Sequence, residues 1–175
     1  MEVILVRHTT PNITKGICYG QADIETADSF EQELLPILSE IPINEPTIAY
    51  FSSPLQRCSL LANRLSRNVI FDDRLKELNF GDWELKAWDA INDPLFNLWM
   101  NDFVNTPTQK GESYIDLYTR TVAFLNELKQ SQHQKAVVVT HAGVIRSLWA
   151  HVNNIPLEKS FDLKLSYSAI VKLII

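Results

Sequence analysis

Several short segments of this chain carry side chains suited to handling an anion. Arg7 and His8 follow the apolar run Val3 to Val6, Arg57 lies in SSPLQR, Glu77 in LKELNFGDWE, and His141 in VTHAGVIR. A guanidinium presents paired N–H donors in a planar fork, the geometry that phosphate oxygens accept. Imidazole can attack, accept or donate near neutral pH, and a carboxyl desolvated by Leu78, Phe80 and Trp83 can hold a proton for a departing group. Gathered in a water-poor volume, two arginines and two histidines repel one another until an anion joins them. The natural occupant is therefore a dianion such as phosphate. Each charge-assisted bond to it contributes about 1.5 to 3 kcal/mol.

That gathering depends on the elements that carry these residues. Val3, Ile4, Leu5 and Val6 lack polar alternation, as a strand buried on both faces requires, and the strand stops at Arg7 and His8. TIAYFSS reads as a second strand ahead of Arg57, and KAVVVTH as a third ending at His141. If the three run parallel, their C-terminal ends share the sheet edge where α/β proteins bind ligands. The amides that open the next helix, from Ala142 onward, would add donors.

Between the strands, FEQELLPILSEI predicts a helix bent or ended near Pro36. PLQRCSLLANRLSR predicts a second helix with Pro54 early in its first turn and Leu55, Cys58, Leu61, Ala62 and Leu65 on one face. NVIF reads as a short edge strand, and the stretch from Asp93 to Asp102 as a short helix carrying Trp99. ESYIDLYTRTVAFLNELKQ places Tyr114, Leu117, Tyr118, Thr121, Leu125 and Leu128 at helical spacing. GVIRSLWAHVNN completes the helices and SYSAIVKLII closes as a strand. Strands alternating with helices predict an α/β fold, a three-layer α/β/α sandwich on a mainly parallel central sheet, with residues 1–175 as a single domain.

Composition narrows the function. The formal charge of −5 opposes a sequence-independent grip on nucleic acid, which needs a basic face. No apolar run reaches the roughly 18 residues of a spanning helix, and no cationic leader precedes the first strand, so no membrane association and a cytoplasmic location are expected. Cys18 and Cys58 stand alone, without metal-ligand spacing, and both are expected to be reduced. Neither a metal nor a cofactor is expected.

The segments LVRHTTP, SSPLQR, LKELNFGDWE and VTHAGVIR occur in the order of the histidine phosphatase superfamily, whose fold is similar to phosphoglycerate mutase. The resemblance implies a phosphatase in which His8 is the nucleophile that forms a phosphohistidine. Arg7, Arg57 and His141 would hold the phosphoryl group, and Glu77 would donate the proton, with Glu84 and Asp82 as nearby substitutes. Physical chemistry agrees with these roles. A nucleophilic histidine must be neutral, and adjacent arginines favour that form, while His141 could gain a proton once phosphate arrives. Phosphoryl transfer needs mainly in-line positioning and charge neutralisation, which such a cluster supplies without Mg²⁺. The sequence departs from the family pattern twice: Thr9 stands where glycine usually follows the first histidine, and Leu85 where glycine follows WE. Thr9 could donate a bond to phosphate or narrow the pocket.

The segment RHTTPNITKGICYGQADI further resembles the alpha-ribazole phosphatases of cobalamin assembly. The implied substrate is a small phosphate monoester, alpha-ribazole 5′-phosphate. Tyr19, Gln21 and Asp23 either touch its organic part or simply build the loop, with Gly16 and Gly20 at turns. The superfamily's mutases are usually longer than this chain, which favours hydrolysis. Two alternatives are a broad or protein phosphohistidine phosphatase and a catalytically silent phosphate-binding module. Trp83, Trp88 and Trp99 suit either a pocket wall or the core. His133 reads as a solvated surface residue, His151 as packing or surface, and Arg146 as the partner of a carboxylate.

Overall fold

The computed structural model describes residues 1–175. Five strands form one sheet: β1 (Glu2–Arg7), β2 (Ala49–Ser52), β3 (Val69–Phe71), β4 (Lys135–Thr140) and β5 (Ile170–Ile174), in the spatial order β3-β2-β4-β1-β5. The pairs β1–β4, β2–β4 and β2–β3 are parallel, while β5 runs antiparallel to β1. Val3 to Val6 and Ala136 to Val139 are buried, as strands covered on both faces must be.

Successive strand residues point to opposite faces and build two cores. Val3, Leu5, Ala136 and Val138 pack with α4 (Tyr114–Gln130) and α5 (Ala142–Val152). Ile4, Val6, Val137 and Val139 pack with α1 (Phe30–Glu40) and α2 (Gln56–Leu65). The three-layer architecture thus follows from strand alternation meeting helices with one apolar stripe. Helix α4 begins at a reciprocal cap: Ser113 accepts from the Asp116 amide, and the Asp116 carboxylate accepts from the Ser113 amide at 2.9 Å. Its buried stripe includes Phe124, with Tyr118 only partly covered.

Helix α1 does not end at Pro36 but runs on to Glu40. Gln32, whose carbonyl Pro36 cannot satisfy, and Pro36 itself both lie on the exposed face, where water can replace the missing donor. Pro54 also stands just outside α2 rather than within its first turn. Among the remaining elements, α3 (Leu95–Asn101) and short 3₁₀ turns at Gly81–Trp83, Trp88–Ala90 and Leu157–Asp162 interrupt the long connections. No helix is long and apolar enough to cross a membrane.

The connection from β1 leads through α1 to β2, past β4, whereas the connection from β4 leads through α5 to β5, past β1. The two helices cover opposite faces, so the chain diverges at the C-terminal ends of β1 and β4. A crevice is expected at such a divergence in an open α/β sheet.

Candidate active site

The sheet register places the chemistry at this divergence. Arg7 lies opposite Thr140, and Ser52 opposite Val139, so His8, Ser53 and His141 emerge together. The His8 and Ser53 amides extend the ladder by donating to Thr140 and Val139, each at 3.0 Å. The His8 and His141 rings sit edge to face, 5.1 Å between centroids.

Arg7, His8, Arg57, Glu77, His141 and Ala142 all line one cavity of about 430 Å³. His8, Arg57 and His141 are buried, and none of the ion pairs in the molecule uses Arg7 or Arg57. The arginines are held instead by main-chain oxygens. Arg7 donates through Nη1 to Leu165 O at 2.8 Å, with its guanidinium 4.1 Å above the Tyr167 ring. Arg57 donates through Nη1 to Ala22 O at 2.8 Å and through Nη2 to Gly20 O. The Nε atoms of both arginines are buried without a protein partner. Carbonyls orient a guanidinium while leaving its charge uncancelled, which suits a site awaiting an anion.

His8 Nδ1 lies 2.7 Å from Thr9 O, an acceptor with no proton to give. Nδ1 therefore donates, and the free lone pair is on Nε2. Burial pulls the His8 pKa down from 6.5 to about 3, with Arg57 and Arg7 adding repulsion that outweighs the opposing effect of Thr9. His141 is likewise held well below its ordinary value by burial, then by Arg57 and His8. Its Nε2 lies 2.9 Å from Ser53 Oγ and 3.4 Å from Cys58 Sγ. Both imidazoles are thus neutral before an anion arrives.

Glu77 lines the same cavity, held against the start of α5. Its Oε1 accepts from the Leu78 amide at 2.9 Å and its Oε2 from the Gly143 amide at 3.0 Å. These amides fix the carboxyl's direction and give it a more polar setting than Leu78, Phe80 and Trp83 alone would. Arg120 secures the segment behind it, donating to the carbonyls of Arg74, Lys76 and Glu77 and pairing with Glu112 at 2.8 Å. Arg120 escaped the sequence reading because Glu112 and its carbonyl partners belong to loops without periodicity. Its place on the predicted helix three residues after Leu117, beside the apolar stripe, was the available signal.

The remaining candidates divide between the cavity and the loops around it. Gln21 does not line the cavity: its side chain donates to Glu77 O at 3.0 Å and its amide to Glu84 at 2.8 Å. Glu84 also accepts the amides of Ala22 and Phe80, so it ties two loops together rather than substituting for Glu77. Asp23 caps α2 by accepting the Gln56 amide at 2.7 Å. Thr9 is buried outside the cavity, its hydroxyl unpartnered, and serves His8 through its carbonyl. Tyr19 does line the cavity, bonded to the Tyr167 hydroxyl at 2.8 Å and lying 5.5 Å from the Arg57 guanidinium.

Arg146 also faces the cavity and makes no ion pair with a carboxylate. It follows Ala142 and Gly143 by four and three residues, one helical turn, which was the signal for its position. Trp88 and Trp99 stack 5.8 Å apart on the outer wall with Phe80, while Phe103 and Phe161 meet edge to face at 5.2 Å. Trp83 instead is core, bonded through its indole N–H to Asp93 at 2.6 Å. No three His, Cys, Asp or Glu side chains are placed to hold a metal ion.

Comparison with known proteins adds an independent observation. The chain is 31% identical over 176 residues to the adenosylcobalamin/alpha-ribazole phosphatase of Escherichia coli, covering 94% of this chain and 85% of that protein. It is 26% identical to phosphoserine phosphatase 1 of Hydrogenobacter thermophilus, covering 97% and 86%. The alpha-ribazole phosphatase structure from Shigella flexneri superposes with a TM-score of 0.84 at 24% identity, covering 100% of this chain and 91% of that one. The family model for the histidine phosphatase superfamily (branch 1) matches residues 3–175, and this chain belongs to that superfamily.

Proposed function

We propose that this chain is a phosphomonoesterase acting through a phosphohistidine on His8. The observation that carries this reading is a neutral, buried imidazole between two arginines that have main-chain acceptors but no carboxylate partner. Phosphate oxygens bind Arg7, Arg57 and His141, supplemented by amides at the start of α5. His8 Nε2 attacks phosphorus in line, and the ester P–O bond breaks with its electrons on the leaving oxygen. Glu77 gives that oxygen a proton. The resulting carboxylate then removes a proton from water, which attacks phosphorus and releases inorganic phosphate from His8. The sum is ester plus water giving alcohol plus phosphate, and the cationic cradle supplies the charge neutralisation without a metal.

The substrate in this reading is alpha-ribazole 5′-phosphate. Its flat base suits a cavity walled by Trp88, Trp99, Phe80 and Phe103, and one similar protein is an alpha-ribazole phosphatase. The aromatic enclosure also favours a small ester over a phosphohistidine on a protein surface, and Glu77 beside His8 argues against a silent binding module.

The test is p-nitrophenyl phosphate hydrolysis in EDTA, followed by a phosphomonoester panel ranked by kcat/KM. His8→Ala is expected to lose at least about 10³-fold of kcat. Undiminished turnover by that variant, or strict metal dependence, defeats the mechanism. A panel in which alpha-ribazole 5′-phosphate has no advantage withdraws the substrate and leaves the reaction class.

A further inference from the structure

Two tyrosines 148 residues apart meet beside the phosphate cradle, and the transfer chemistry above uses neither. Tyr19 and Tyr167 share a hydroxyl-to-hydroxyl hydrogen bond of 2.8 Å. Each belongs to the segment that aims one of the two arginines. On one side, the Tyr167 ring lies 4.1 Å from the Arg7 guanidinium and 5.7 Å from the His8 ring, and Leu165, two residues earlier, accepts from Arg7 Nη1. On the other, the Tyr19 ring lies 5.5 Å from the Arg57 guanidinium, and the adjoining carbonyls of Gly20 and Ala22 accept from Arg57. No other hydrogen bond joins residues 19–22 to residues 165–167. Burial, then the bond to Tyr167, push the Tyr19 pKa up, so its proton stays in place through neutral pH.

In-line transfer requires both guanidinium groups to meet the oxygens around phosphorus at once, so their separation matters as much as their charge. Held by the carbonyls of two separate segments, the like charges push those segments apart. One bond between the supporting segments opposes that push. We propose that Tyr19 and Tyr167 are paired positioning residues, whose shared hydrogen bond sets the spacing of Arg7 and Arg57 around the transferring phosphoryl group. The inference rests on the hydrolase reading above. Tyr19 lines the cavity, but its hydroxyl is engaged by Tyr167, so it acts through the arginines rather than on the organic part of an ester.

Phenylalanine variants remove the bond and keep both rings. Tyr19→Phe and Tyr167→Phe are each expected to lower kcat by about 5- to 20-fold on p-nitrophenyl phosphate and on an alkyl phosphate alike, since the arginines touch the phosphoryl group common to both. The double variant should lose no more than about twofold beyond either single one, because all three lack the same bond. Two anions separate spacing from folding. Orthovanadate becomes five-coordinate when it bonds a nucleophile and so follows the transfer geometry, whereas sulfate stays tetrahedral and follows charge. The ratio of their Kd values, taken within each protein so that folded fraction cancels, should move against vanadate by about the factor lost in kcat. Single variants within about twofold of wild type, an unchanged ratio, losses that multiply in the double variant, or a loss confined to one leaving group each overturn the pairing while the hydrolase stands. If wild type fails to cleave p-nitrophenyl phosphate, the hydrolase reading falls and this assignment falls with it.

Discussion

At His8, one ring nitrogen is committed to a main-chain oxygen and the other is left to attack. The ordinary histidine pKa of 6.5 falls to about 3 in the folded chain, so between those values the unfolded chain binds a proton that the folded chain refuses. Folding stability must therefore decline as pH drops from about 6.5 toward 3. His141 adds to the decline, since its value is lowered too. Urea midpoints measured from pH 7.5 to 5 should fall more steeply for wild type than for His8→Asn; parallel slopes would remove His8 from the account. Glu77 invites a different measurement. Glu77→Gln should slow alkyl phosphates about 10²-fold while affecting p-nitrophenyl phosphate far less, because a good leaving group needs little protonation. These residues were legible in the sequence because each closes a motif beside a strand or helix signal. The place of Gln21 was left open and Arg146 was read as a carboxylate's partner, because loop spacing does not reveal which way an amide side chain turns and a lone arginine on a helix declares its neighbours only in three dimensions.

Among the elements, α5 carries more of the site than its motif announced. A Cβ added to Gly143 would lie 2.2 Å from Glu77 Oε1, so glycine there makes room for the carboxyl that its own amide holds. Gly143→Ala is expected to reproduce the Glu77→Gln pattern, slowing alkyl phosphates by about 10²-fold with p-nitrophenyl phosphate comparatively spared. Equal losses on both esters would point to a general disturbance of α5. The turn at Leu85 holds a leucine at φ +65° with 62% of its surface exposed. Leu85→Gly should raise stability by about 1 kcal/mol, read from the urea midpoint, because a left-handed backbone strains residues with a Cβ. Helices were readable here from the 3.6 period and strands from short continuous apolar runs, β3 included. The wall built from Phe80, Trp88, Trp99 and Phe103 was not, since the rings of the connection between Glu77 and Gly111 find each other only in three dimensions.

For the molecule as a whole, the uncancelled charges at the sheet's edge are a destabilising feature that an anion relieves. Phosphate or sulfate at about 100 times its Kd should add about 2.7 kcal/mol, raising Tm by roughly 5 to 10 °C in a domain of this size, whereas chloride at matched ionic strength should not. The shift, taken against each protein's own baseline, should shrink in Arg57→Lys; an equal shift would place the anion elsewhere. One further consequence comes from β5, the strand that runs against its neighbour. Parallel strands present their trailing ends to the ligand edge, but an antiparallel one presents the segment leading into it. That segment supplies Leu163 O to Arg146, Leu165 O to Arg7 and the Tyr167 ring above Arg7. Leu165 follows Arg7 by 158 residues. On the ribosome, the group that aims Arg7 emerges long after Arg7 itself, so a nascent chain stalled before Leu163 would carry its histidine and lack a finished grip on phosphorus.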